Sequence, residues 1–165
     1  MKPYSIKAKK FIMLYVLYLS SLFLILYAPT SSVSTTINNF QTNLTLQTIS
    51  LFLKDTQIRG IDIWVNPYYK IIITQACNGM IPTLFLVSSI LAYPSKFIMK
   101  ILWIIVGYIV YIIANVLRLI LVIKVTKIYG SNSFYWIHDI VGNALLIGVG
   151  FMIFTAFIKT SQTTT

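Results

Sequence analysis

The chain has 165 residues, of which 58% are hydrophobic and only 10% charged, with a mean hydropathy of +0.83. A soluble domain of that length would need a polar surface that this composition does not supply. Four bilayer crossings at roughly 20 residues each would use about half the chain, which excludes a large extramembrane domain. The charge is lopsided, 13 Lys and Arg against three Asp and no Glu. The basic residues sit mostly at the ends of apolar runs, where they anchor helices and set topology, and no basic stripe on a polar domain exists to bind nucleic acid.

In chain order, Lys2, Lys7, Lys9 and Lys10 precede an apolar run over 11–28. That run exceeds the apolar core of a secretory signal, so it predicts an uncleaved first span with its N-terminus in the cytoplasm. Residues 29–75 read as an external segment. It opens with a Ser/Thr/Asn-rich loop from Thr30 to Asn39. Ile37, Phe40, Leu44, Thr48 and Leu51 then recur at spacings of three and four, predicting an amphipathic helix on the membrane surface. From Ile58 the period changes. Ile61, Ile63 and Val65 alternate with Asp62 and Trp64, Asn66-Pro67 supplies a turn, and β-branched residues follow, which predicts a short external β-hairpin. Spans are predicted over 76–93 (ending at Pro94), 97–123 and 138–158, with a Thr-rich tail behind Lys159. The expected fold is an all-α, single-domain integral membrane protein of about four transmembrane helices. Both ends lie in the cytoplasm by the distribution of short basic segments.

Three residues stand out within this frame. Arg118 lies inside an apolar segment, where a guanidinium costs a few kcal/mol unless it faces a bundle interior or a watery cavity. It is also near enough to a helix end to snorkel to the interface. Tyr108, Tyr111 and Asn115 precede it at helical spacing, so the four share one face, better suited to a bundle interior than to lipid. Cys77 is the only cysteine, which excludes an intramolecular disulfide and a C-x-x-C redox pair. It is either inert packing or a nucleophile. Its place at the head of the second span favours a thiolate through the first-turn N–H groups and the helix dipole. Gly79 would let a substrate backbone approach, and the N–H groups of Asn78 and Gly79 are candidate oxyanion donors. His138, the only histidine, opens the last span as an interfacial residue or a general base. Gly142 leaves room one turn on, and Asp139 and Asn143 flank it, although neighbours on a helix do not face each other. The four-span path brings Cys77, Arg118 and His138 to the same external membrane surface. Thiol, imidazole and cation together suit nucleophilic acyl transfer. One histidine, one cysteine and few carboxylates make a poor zinc ligand set, and no cofactor is expected.

Cys77-Asn78-Gly79 opening a span, Asn115-x-x-Arg118 near the outer end of the next, and His138 followed by Gly142 opening the last resemble the exosortase/archaeosortase family of membrane cysteine transpeptidases. The resemblance covers about residues 55–145. It implies Cys77 as nucleophile, His138 as proton carrier and Arg118 as the cation that stabilises thiolate or oxyanion. It further implies, as substrate, the C-terminal membrane-anchored sorting signal of an exported protein. That signal would be cleaved through a thioester and passed to a lipid or other amine-type acceptor, at the external face of the cytoplasmic membrane. Two other readings stand beside it: a cysteine protease transferring to water, and a non-enzymatic transport or assembly subunit that uses Arg118 and Asn115 to hold a partner.

Overall fold

The computed structural model describes residues 8–29, 31–53 and 57–163. Lys2, Lys7, Thr30 and the last two threonines of the tail, all part of the expectations above, lie outside the described residues. The fold is mostly helical. Among the described residues three helices are long and apolar enough to cross a membrane: α1 (Ala8–Leu26), α4 (Phe97–Tyr129), and a continuous run from Ser133, in which a short α5 (Ser133–Tyr135) and a π-helical stretch (Trp136–Gly142) lead into α6 (Asn143–Thr163). A fourth apolar helix, α3 (Met80–Ala92), has 13 residues, about 20 Å at 1.5 Å per residue, shorter than the roughly 30 Å hydrocarbon core.

The limits of these helices follow from local chemistry. α3 stops at Tyr93, which is extended because Pro94 disfavours helical backbone before it. Lys100, which interrupts the apolar run of α4, donates from Nζ to the Leu91 carbonyl at 2.7 Å and satisfies the end of α3. α4 continues past residue 123, the sequence-based boundary, to Tyr129. Its 33 residues reach about 50 Å, so Lys124 and Lys127 belong to helix rather than loop. α3 lies among α1, α4 and α6. Phe154 of α6 meets both Phe11 near the start of α1 and Tyr93 past the end of α3, and Ser95 bonds Ser161. Lys9, Lys10, Lys96, Lys100 and Lys159 are thereby gathered toward one end of the bundle.

Two cores stack along the bundle. One, formed by Leu86, Ile90, Tyr111, Leu146, Ile153 and Phe157, fills the space among α3, α4 and α6. The other joins Val116, Leu119, Val122 and Ile123 of α4 to an antiparallel sheet and to Ile49 of α2 (Ser32–Ser50). The sheet is a meander of β1 (Ile58–Arg59), β2 (Asp62–Asn66) and β3 (Tyr69–Ile72). The alternation predicted for this segment appears as Ile63 and Val65 buried, and Ile71 and Ile73 join them. On the other face Lys70 pairs with Asp62 at 2.6 Å beside Trp64. The turn after β2 is closed by Asn66 Oδ1, which accepts from the Tyr68 amide at 2.9 Å.

The helix predicted over 37–51 exists, but it starts earlier, at Ser32, inside the stretch expected as a loop. Ser34, Gln41, Thr42 and Thr45 of α2 are buried, while Phe40 is 61% and Leu51 79% exposed. Phe40 and Leu51 thus face away from the fold, Ile37, Leu44 and Thr48 are half-buried, and Ile49 joins the core. The inward polar side chains meet buried polar groups: Gln41 donates to the Tyr108 hydroxyl, and Thr42 accepts from Asn78. Burying a polar group without a partner is costly, and here that cost decides which face turns inward.

Candidate active site

The site lies where the two cores meet. Cys77 is not on the first turn of α3. It occupies a 3-10 turn, Gln75–Asn78, and Gly79, with φ +68°, separates that turn from Met80. The helix-terminus account of its reactivity is therefore replaced by one of direct hydrogen bonds. The Cys77 amide donates to the Thr74 carbonyl at 2.9 Å, and its sulfur lies 3.7 Å from Thr74 Oγ1 and 3.7 Å from His138 Nε2. The turn is held from α4, where Asn115 Nδ2 donates to the Cys77 carbonyl at 2.9 Å. Burial pushes the Cys77 thiol up, but its hydrogen-bond contacts with His138 and Thr74 outweigh it, and the thiol titrates below its ordinary value.

Arg118 does not snorkel. It is 1% exposed, and its Nη2 lies 2.7 Å from His138 Nε2. Gly142 opposite explains how it fits: a Cβ there would come within 3.0 Å of Arg118 Cγ, Cδ and Nε. The space that sequence reasoning assigned to the imidazole is thus taken by the arginine stem. Tyr111 and Asn115 are buried on the same face of α4, and Tyr108 is half-buried at its far end, so the polar stripe looks inward.

His138 sits in the π-helical stretch, a wide turn of a kind found mostly at functional sites. Phe134, one turn earlier, stacks on the imidazole with centroids 5.0 Å apart. Asp139 Oδ1 lies 2.7 Å from His138 Nδ1. The objection that adjacent helix residues do not face each other fails at this nitrogen. Nδ1 is the ring nitrogen nearest the backbone, so a short carboxylate on the next residue reaches it, while Nε2 extends toward Cys77 and Arg118.

The structure gives the Asn78 side chain and Gly79 further contacts. The Asn78 side chain turns toward α2, donating to Asn38 Oδ1 at 2.7 Å and Thr42 Oγ1 at 2.8 Å. Gly79 is required by its left-handed backbone, and a Cβ there would meet Asn115 Cγ at 3.1 Å, so Asn115, not a substrate, makes the close approach. Thr74, Asn38, Thr42 and Phe134 were not singled out from the sequence. Thr74 and Phe134 stand three and four residues before the residues they touch, a spacing that carries a signal. Asn38 and Thr42 are joined to the site only by tertiary packing. A cleft of about 320 Å³ is lined by Arg118, His138, Asp139 and Asn143 at its polar end and by Ile81, Pro82, Phe85, Leu146 and Ile147 at its apolar one. A second cleft of about 300 Å³ shares Pro82, Phe85 and Ile147 and extends along α3 and α6 to Phe154.

A single-cysteine, single-histidine site of this make-up, carried on apolar helices, invites comparison with known membrane families. The family model described as transmembrane exosortase (Exosortase_EpsH) matches residues 7–156. The chain belongs to that family. No curated protein and no solved structure matches it. Exosortase membership accounts for the multi-pass apolar architecture and points to a membrane transpeptidase; the match spans Cys77, Arg118 and His138 without assigning them roles.

Proposed function

We propose that this exosortase is a cysteine transpeptidase in which Cys77 attacks a peptide carbonyl, His138 carries the proton and Arg118 meets the oxyanion. The observation that carries the reading is the convergence of the three side chains, from a 3-10 turn, α4 and the π-helical stretch, on His138 Nε2. His138 takes the thiol proton, and the thiolate adds to the carbonyl carbon. As the C–N bond breaks, His138 returns the proton to the departing amine and leaves a thioester on Cys77. An acceptor amine then attacks the thioester and regenerates the thiol. Asp139 holds Nδ1–H and so keeps Nε2 free to accept.

The substrate in this reading is the C-terminal sorting signal of an exported protein, cleaved beside the outer membrane surface, and the acceptor is a lipid or other amine. α1, α3, α4 and the segment from Ser133 would form four spans. The basic residues gathered at the opposite end of the bundle from Cys77 support a cytoplasmic placement of that end. The clefts between α3 and α6 lead from His138 along apolar walls, which suits a substrate arriving within the bilayer.

The test is co-expression with an exported protein ending in a short motif, an apolar helix and a basic cluster. Cys77→Ala, His138→Ala and Arg118→Ala should each abolish processing while the protein still accumulates in the membrane. Processing that persists with Cys77→Ala overturns the proposal. Mass spectrometry of the new C-terminus separates the chemistries: an added group means transfer, a free carboxylate means hydrolysis.

A further inference from the structure

His138 Nε2 has one lone pair and two neighbours that ask for it. A guanidinium N–H can only donate, so the 2.7 Å contact from Arg118 Nη2 requires an unprotonated Nε2. The 2.7 Å contact of Nδ1 with the Asp139 carboxylate places the ring proton on Nδ1, consistent with that requirement. The Cys77 sulfur stands farther from the same nitrogen, at 3.7 Å. Resting on the proposed Cys77–His138 chemistry, we infer that Arg118 caps the base in the substrate-free site and must leave Nε2 before the thiol proton can move there.

The chemistry of that exchange is closed. Were the proton to pass from Sγ to Nε2 with Arg118 in place, the new Nε2–H would face an Arg118 N–H, donor against donor and cation against cation, so that contact breaks first. What Arg118 moves toward is set by its own unmet bonding. Its Nε is buried without a hydrogen-bond partner, and the side chain lines the cleft that also reaches His138. A carbonyl oxygen entering that cleft offers an acceptor to Nε and to the Nη2 released from His138. The substrate carbonyl thereby uncaps the base by the same contact that later stabilises its oxyanion. The titratable groups facing the imidazole are Cys77 from the 3-10 turn, Arg118 from α4 and Asp139 from its own segment. Among the described residues no acidic side chain forms an ion pair with Arg118.

Because the chain has one cysteine and one histidine, both groups can be read without background. The first measurement is the rate of alkylation of Cys77 by iodoacetamide at pH 7, in reconstituted full-length protein without substrate. Removing a nearby cation by itself disfavours a thiolate and slows alkylation. Uncapping does the opposite: Arg118→Met should alkylate faster, by roughly tenfold for one lost charge-assisted hydrogen bond, while processing is lost. The double variant Arg118→Met/His138→Ala should lose that gain, since the acceleration runs through Nε2. Slower or unchanged alkylation in Arg118→Met overturns the inference and leaves the Cys77→Ala test of the proposed function untouched. The second measurement needs no variant. In wild-type protein with ¹⁵N-labelled histidine, Nδ1 should resonate as protonated and Nε2 as an unprotonated acceptor; a protonated Nε2 in the substrate-free protein overturns the inference on its own.

Discussion

Gly142→Ala should separate activity from stability at this site. The added methyl would stand 3.0 Å from three atoms of the Arg118 stem, so the stem must give by a few tenths of an ångström. Arg118 is 1% exposed and packed against that glycine, and the shift falls on its approach to a carbonyl in the cleft. Losing the alignment of a hydrogen bond from a charged donor costs about 1.5–3 kcal/mol, and each 1.4 kcal/mol is tenfold, so kcat/KM should fall by roughly 10- to 100-fold. Stability should move little, because alanine gains up to about 1 kcal/mol over glycine inside a helix. Gly148→Ala is the matched control, since nothing lies within 4 Å of a Cβ there. It should carry the helix gain with unchanged processing. The assay is processing rate against thermal melting of the purified protein for both variants. Full activity in Gly142→Ala, within about twofold of wild type on the same scale, would refute the claim that this glycine exists to seat the arginine.

Three further outcomes are expected. The lowered thiol means that alkylation of Cys77 is half-developed at a pH below the ordinary value of about 8.5 and fades as pH falls through the folded value. His138→Ala removes the largest lowering partner and leaves burial, so a pH titration of alkylation should show the midpoint rising above wild type. Gly79→Ala forces an L-residue into φ +68° and against Asn115, which should lower stability by about 1–2 kcal/mol in a thermal melt and displace the Asn115 tether on the Cys77 carbonyl. Asp139→Ala frees Nδ1 and allows the proton to settle on Nε2, where it blocks acceptance from the thiol. kcat should drop by about 10²-fold with KM little changed, and Asp139→Asn, which keeps an acceptor oxygen, should lose less.

Much of this arrangement is legible from residue order because it rests on helical periodicity. The inward face of Tyr111, Asn115 and Arg118 follows from spacings of four and three, and a buried guanidinium is the outcome that spacing favours over snorkelling. The strands around Ile63 and Val65 follow from alternation, and the turn from Asn66-Pro67. What could not be read is set by contacts between segments far apart in the chain. The polar face of α2 turns inward because Asn78 and Tyr108, 36 and 67 residues from Thr42 and Gln41, need partners, and a hydropathy pattern read in isolation does not show those partners. Helix ends were blurred for a related reason. An apolar run does not distinguish a 3-10 turn from an α-helix, so Cys77 reads as a helix start until the left-handed Gly79 is seen. The Asp139 contact escapes the spacing of helix faces because Nδ1 lies close to the backbone, within reach of the next residue's carboxylate.

The outward side of α2 makes the medium around this protein a part of its chemistry. Phe40 and Leu51 point away from the fold, and aqueous solvent there would pull the helix over or off, whereas hydrocarbon keeps it seated. What α2 then holds is Asn78, through Asn38 and Thr42, one residue from the nucleophile. Stripping lipid from such a protein would slacken the turn that carries the thiol long before the helices came apart, so its surrounding oil serves as the outer wall of the reaction chamber.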